Sequence, residues 1–123
     1  MSGQFVVAVA AALGDDVAAI ASFYGVGIVS DAPDSPHLQA DKVRADSYLA
    51  FASDDPWVPA NVLETLPGVI DKTGWRARIE VYPNTSHGFA FPARADYSRA
   101  AGERHWARIF ALLARNLKRE AGA

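Results

Sequence analysis

Asp46-Ser47-Tyr48-Leu49-Ala50-Phe51-Ala52, running directly into Ser53-Asp54-Asp55-Pro56-Trp57-Val58-Pro59, decides how this chain folds. An apolar run of that length, closed by acidic residues and prolines, reads as a buried strand leaving into a turn. Upstream, Val17-Ala18-Ala19-Ile20-Ala21-Ser22-Phe23-Tyr24 is another continuous apolar run, of the kind that suits a strand buried on both faces, and Gly25 and Gly27 end it. Before it, the alanine-rich stretch from about Gly3 to Leu13 predicts a buried helix with Gly14 as its C-cap. Between the two strands, the segment from Ser30 to Asp41 is rich in Asp, Pro and Ser and reads as a surface loop.

Downstream the alternation continues. Pro59 suits the first turn of a helix whose apolar positions are Val62, Leu63, Leu66 and Ile70, with Pro67 expected to kink or split it and Gly74 to close it. Arg76-Ala77-Arg78-Ile79-Glu80-Val81-Tyr82 alternates charged with less polar residues and predicts a third strand nearer a sheet edge. A last helix is expected from about Ser98 to Lys118. Its apolar stripe is Trp106, Ile109, Phe110, Leu113 and Leu117, with Arg104, Arg108, Arg115 and Lys118 mostly on the other side. Strands alternating with helices imply an α/β fold, a three-layer parallel sheet of about three strands covered by helices, with ligands beyond the carboxyl ends of the strands. Residues 1–123 form one domain on this reading, yet three strands make a thin sheet, and a first strand buried on both sides needs neighbours beyond these residues.

Composition narrows the classes of function. With 123 residues, 50% hydrophobic and 21% charged, the chain is neither disordered nor fibrous, and 12 basic against 14 acidic residues leave no footprint for nucleic acid or an anionic membrane. There is no cysteine, so a disulfide framework, a thiolate metal site and a cysteine nucleophile within the chain are excluded. The apolar stretch from Phe5 to Leu13 has no basic flank and is far shorter than the ~20 residues of a membrane span, so the chain reads as cytoplasmic.

Chemistry concentrates on two loops at strand ends. One carries Asp54-Asp55-Pro56-Trp57-Val58-Pro59, the other Asn84-Thr85-Ser86-His87-Gly88-Phe89. A carboxylate on the first can accept the Nδ1 proton of an imidazole on the second, orienting the ring and leaving Nε2 as a general base. By themselves these residues also have plainer readings. Asp-Pro is a common turn starter, and a loop histidine between Ser and Gly is usually solvated. Asp55 and His87 alone are too few for a catalytic zinc site, and Gly25-x-Gly27 lacks the third glycine of a dinucleotide loop, so neither a metal nor another cofactor is expected. His37 in a polar loop and His105 on a charged helix face read as bland. Trp57, Phe89 and Phe91 are candidates to line an apolar pocket.

Four segments in order, Phe23-Tyr24-Gly25-Val26-Gly27, Asp55-Pro56-Trp57-Val58-Pro59, Ser86-His87-Gly88-Phe89, and Arg94 to Tyr97 leading to Ala100-Ala101 and Trp106, resemble the dienelactone hydrolase family of the α/β-hydrolase superfamily. The resemblance runs from Met1 to about Leu117 and covers the second half of a family member. It implies a partial α/β-hydrolase fold and ester or lactone hydrolysis by a Cys/Ser-His-Asp triad through an acyl-enzyme, with Asp55 as the acid and His87 as the base. It also makes Tyr24 a residue facing the substrate pocket. Phe91 stands at the nearest position where the family places a carboxylate-binding arginine, which leaves Arg94 as the local candidate. Met1-Ser2-Gly3-Gln4-Phe5 resembles the residues just after the family's nucleophile, so the nucleophile is expected one position before Met1, and the backbone N–H of Met1 falls where the family has half of its oxyanion hole. The chain alone is then expected to be inactive on its small-molecule ester or lactone. The alternative is a non-catalytic α/β fragment acting by self-association or by pairing with a separate N-terminal half.

Overall fold

The computed structural model describes residues 2–117. Three strands, β1 (Ala19–Phe23), β2 (Asp46–Asp54) and β3 (Ala77–Ser86), form one parallel sheet in the order β1-β2-β3. Helices α1 (Gly3–Leu13) and α2 (Ala60–Thr73) cover one face and α3 (Arg99–Asn116) the other. The pleat of β2 explains the layering, since successive side chains point to opposite faces. Leu49 and Phe51 enter the core beneath α1 and α2 with Val7, Ala10, Val62 and Leu66, whereas Tyr48, Ala50 and Ala52 enter the core beneath α3 with Ile109 and Leu112. All of these side chains are buried, and each large apolar one contributes roughly 1.5–3 kcal/mol. Among the described residues no helix is long and apolar enough to cross a membrane.

Several expectations are corrected. The strand buried on both faces is β2. Among the described residues β1 pairs only with β2, and its Ala19, Ala21 and Phe23 are half-buried on the α3 side. Pro67 does not split α2, because it and Gly68 lie on the exposed face where water can reach the carbonyl freed at Leu63. Pro59 is the residue before that helix rather than part of its first turn, and Gly74 caps the far end with its N–H on the Ile70 carbonyl at 3.0 Å.

The loop from Ser30 to Asp41 is not all surface. Its second half is a 3-10 turn, Pro36–Lys42, in which Pro36 and Ala40 are buried, held by the Ser35 hydroxyl accepting from Ser30 N–H at 2.9 Å and bonding His37 Nδ1 at 2.7 Å. Strand β3 runs on to Ser86, so Asn84, Thr85 and Ser86 belong to the sheet rather than to a loop.

Helix α3 is rotated relative to the expected stripe. Gly102, His105, Ile109 and Leu112 are its buried residues, while Trp106, Phe110, Leu113 and Leu117 are exposed. Its arginines face back onto the sheet. Arg104 and Arg108 grip Glu80 of β3 at 2.7 and 3.2 Å, and Arg115 grips Asp46 of β2 at 2.6 Å. These pairs turn a charged side into a docking side and bring His105 inward. Lys118, assigned to this helix from sequence, lies outside the described residues, as does Met1.

Candidate active site

At the carboxyl rim of the sheet the strand register does the positioning. β2 and β3 pair in step from Ser47 with Ala77 to Ala52 with Tyr82, then shift so that Asp54 pairs with Ser86. The side chain of Ser53 bridges the irregularity, accepting from Thr85 N–H at 3.2 Å and donating to the Thr85 carbonyl at 3.4 Å. The next residue of each strand, Asp55 and His87, therefore leaves the rim side by side.

His87 Nδ1 lies 2.7 Å from Asp55 Oδ2. Since a carboxylate only accepts, Nδ1 carries the proton and Nε2 is the basic ring nitrogen. Asp55 Oδ1 accepts from the Trp57 backbone N–H at 2.9 Å within its own Asp-Pro turn, so with His87 on Oδ2 both carboxylate oxygens are engaged. The carboxylate is almost wholly covered, 2% exposed, whereas the imidazole is 26% exposed. A buried anion that orients a reachable base is the arrangement general-base catalysis requires. Gly88 follows with φ 92, a left-handed value that strains any residue with a side chain, and the Arg94 side chain packs against the space a Cβ would take.

Two concavities border His87. One, of about 310 Å³, is lined by Ser2, Gly3, Ser22, Tyr24, His87 and Phe91 among others, and lies at the start of α1. There α1 and the loop after β1 touch backbone to backbone, and a Cβ on Gly3 would collide with Gly25. The other, of about 330 Å³, is lined by Asp54, Pro56, Trp57, Ser86, His87, Arg94 and Asp96.

The candidates named from sequence fall into separate places. Tyr24 borders the first cavity, with its ring centroid 5.1 Å from that of His87 and its hydroxyl accepting from Ala90 N–H at 2.7 Å. Burial raises its phenol above the ordinary range, the Ala90 hydrogen bond and the charge of Arg94 opposing. Trp57, 66% exposed, and Arg94, loosely paired with Asp96 at 3.8 Å, line the second. Phe89 lines neither; it is wholly buried against Tyr24, Tyr82 and His105 and is a core residue, while Phe91 takes the cavity wall.

His105 is not the bland surface histidine expected from its charged neighbours. It is fully buried with neither nitrogen hydrogen-bonded, inside a box of Phe23, Tyr24, Tyr48, Tyr82, Phe89 and Trp106. Burial pushes its imidazole down to about 4, against a smaller upward pull from Glu80. Tyr48 and Tyr82 close the box with a hydroxyl pair at 2.6 Å. Among the described residues no group of three or more His, Cys, Asp or Glu side chains is placed to hold a metal.

A three-layer parallel α/β sheet with a carboxylate–imidazole pair at its carboxyl rim defines a chain of the α/β-hydrolase kind. The chain belongs to the dienelactone hydrolase family, whose model matches residues 1–117. Its fold is similar to that of a Klebsiella pneumoniae subsp. pneumoniae protein assigned as a dienelactone hydrolase, with TM-score 0.81 and 24% identity over 92% of this chain and 48% of that one. It is also similar to a dienelactone hydrolase-like promiscuous phosphotriesterase from metagenomic libraries, with TM-score 0.75 and 18% identity over 93% of this chain and 48% of that one. The chain thus spans about half the length of these solved structures. Among curated proteins, none matches it.

Proposed function

We propose that the chain carries the acid and the base of an ester or lactone hydrolase that works through an acyl-enzyme. Asp55 is the acid and His87 the base. The nucleophile, a serine or cysteine, comes from a segment other than the described residues. Nε2 of His87 takes the proton of that hydroxyl or thiol as it attacks the acyl carbon, and the imidazolium returns it to the departing alkoxide. Water then attacks the acyl-enzyme with Nε2 again as base, which releases the acid and restores the nucleophile. Asp55 stays ionised throughout and stabilises the imidazolium. Tyr24 and Phe91 wall the acyl side of the site, and Trp57 and Arg94 the outer side, where the guanidinium suits a substrate anion. The cytoplasm remains our choice of setting on the sequence cues alone.

The observation that carries this reading is the 2.7 Å contact between His87 Nδ1 and Asp55 Oδ2 at the strand ends. An activated aryl ester tests it. The chain alone is expected to give no turnover that depends on His87, and a turnover that vanishes in His87→Ala would place a nucleophile within these residues and overturn that part of the proposal.

A second reading, association with another chain, draws on the uncovered edge. Among the described residues β1 has a strand partner on one side only, and the helices flanking it expose Phe5, Val9 and Leu13 on α1 and Trp106, Phe110 and Leu113 on α3. Such a surface suits a second copy or a separately made N-terminal half. Light scattering on a size-exclusion column decides it for the second copy, and a monomer at high concentration argues against self-association.

A further inference from the structure

We propose that Tyr24 is a positioning residue for the Asp55–His87 pair, its hydroxyl anchoring the far end of the turn that bears His87 while its ring backs the imidazole. The proposal rests on the acid–base reading above and adds to Tyr24, already on the cavity wall, a role exerted through His87.

Tyr24 occupies a conformation it would not choose alone. Its φ is 53, left-handed and unfavourable for a bulky residue, at the position where β1 ends. Its own N–H stays in the sheet, bonded to the Ala50 carbonyl at 2.9 Å. The turn in the backbone therefore redirects the side chain rather than freeing the strand. That side chain is 4% exposed, and it reaches residues more than sixty positions away in sequence.

The four residues His87 to Ala90 need such an anchor. Phe89 N–H bonds the Ser86 carbonyl at 3.2 Å and Phe91 N–H bonds the Gly88 carbonyl at 3.2 Å, so the turn closes on itself at both ends. The Ala90 N–H, buried between them, has its partner outside the turn, the Tyr24 hydroxyl at 2.7 Å. Meanwhile the Tyr24 ring meets the His87 ring at 5.1 Å and 53° and the Phe89 ring edge-on at 5.0 Å. One side chain thus fixes the first, third and fourth residues of the turn. Asp55 sets the direction of Nδ1, but a single hydrogen bond leaves the ring free to tilt about it, and the Tyr24 ring removes that freedom.

Magnetic resonance on the whole chain tests this without needing turnover. In the wild type the His87 Nδ1 proton, held by Asp55, is expected at low field and slow to exchange, and to disappear in Asp55→Asn. Tyr24→Phe keeps the ring and deletes the anchor. It is expected to speed exchange of the Ala90 amide and of the Nδ1 proton by about tenfold or more, the factor that goes with losing one ordinary hydrogen bond. Amides of β2 should not change. A folded Tyr24→Phe in which both exchange rates match the wild type overturns the positioning role and leaves the pair standing. Absence of the low-field proton in the wild type overturns the acid–base reading instead. If Tyr24→Phe does not fold, the wild-type Ala90 amide decides: it should exchange more slowly than that of exposed Ala95, and equal rates overturn the proposal.

Discussion

Replacing His105 by leucine separates the aromatic box from its pH dependence. The wild-type imidazole ionises at about 4 in the folded chain and at its ordinary 6.5 once unfolded, because burial among six rings excludes the charged form and only Glu80 opposes this. The folded state therefore binds the proton less readily than the unfolded one. Its contribution is whole above about pH 6.5, falls as pH drops towards 4, and levels off below that at a loss of about 3 kcal/mol. Between pH 7 and pH 5 the loss works out at about 2 kcal/mol. Leucine cannot titrate, so His105→Leu lacks this component. Other acid-sensitive groups are common to both proteins. Asp46, held down chiefly by its hydrogen bond from Arg115, and Glu80, which burial raises but Arg104 and Arg108 together bring below its ordinary value, cost each protein stability alike as they take up protons.

Urea unfolding followed by tryptophan fluorescence at pH 7 and pH 5 measures the difference directly. With a slope of roughly 1–2 kcal/mol per molar urea, the wild-type midpoint should fall by about 1 M or more beyond the fall seen in His105→Leu. Parallel falls in the two proteins would refute the reasoning, since they would mean that the box admits the charged ring. The comparison also reports on α3, because a chain in which α3 undocks would expose His105 and return it to ordinary titration.

Phe51→Ala removes the largest fully buried side chain of the sheet and should cost about 3–5 kcal/mol in the same urea assay, most of the stability of a domain at the low end of the ordinary range of about 5–15 kcal/mol. Pro67→Ala restores the hydrogen bond to Leu63 within α2 and should raise stability by about 1–2 kcal/mol, a fall instead meaning that the proline shapes the helix usefully. Phe110→Ser, at a site 66% exposed, should leave the unfolding midpoint within about 0.5 kcal/mol of wild type while reducing any self-association seen by light scattering.

The order of strands and helices is legible in the sequence because each element carries its own period and stop signal. Gly3 to Leu13 ends on Gly14, and Gly74 closes α2, as their positions suggested. What resists reading is the choice between two apolar stripes on one helix. Trp106-Phe110-Leu113-Leu117 and Gly102-His105-Ile109-Leu112 both follow helical spacing, and hydrophobicity favours the first, yet the second is buried. Arg104, Arg108 and Arg115 settle the rotation by docking on Glu80 and Asp46, carboxylates of other elements that no local pattern connects to them. The same logic misplaced Phe89. An aromatic residue two after His87 reads as a pocket wall, but Gly88 turns the backbone so that Phe89 points into the core and Phe91 outward.

The contact of Asp55 with His87 depends on an irregularity that the apolar patterns do not reveal. Continuing the register Ala52 with Tyr82, Asp55 would stand opposite Thr85, and His87 would lie two residues further along, about 6–7 Å beyond hydrogen-bonding reach. The two extra residues are taken up in β3 around Pro83 and Asn84. Pro83 has no N–H to offer the ladder, and Asn84 adopts φ 55, a left-handed value that asparagine tolerates better than most residues. Because the insertion is two residues rather than one, the alternation of side chains between the two faces is preserved, and His87 arrives at the rim still on the side of Asp55. Pro83-Asn84 is thus the sequence feature that aligns the pair. Its signature is a turn-like dipeptide inside a strand, which reads locally as the strand's end and explains why β3 was expected to stop at Tyr82.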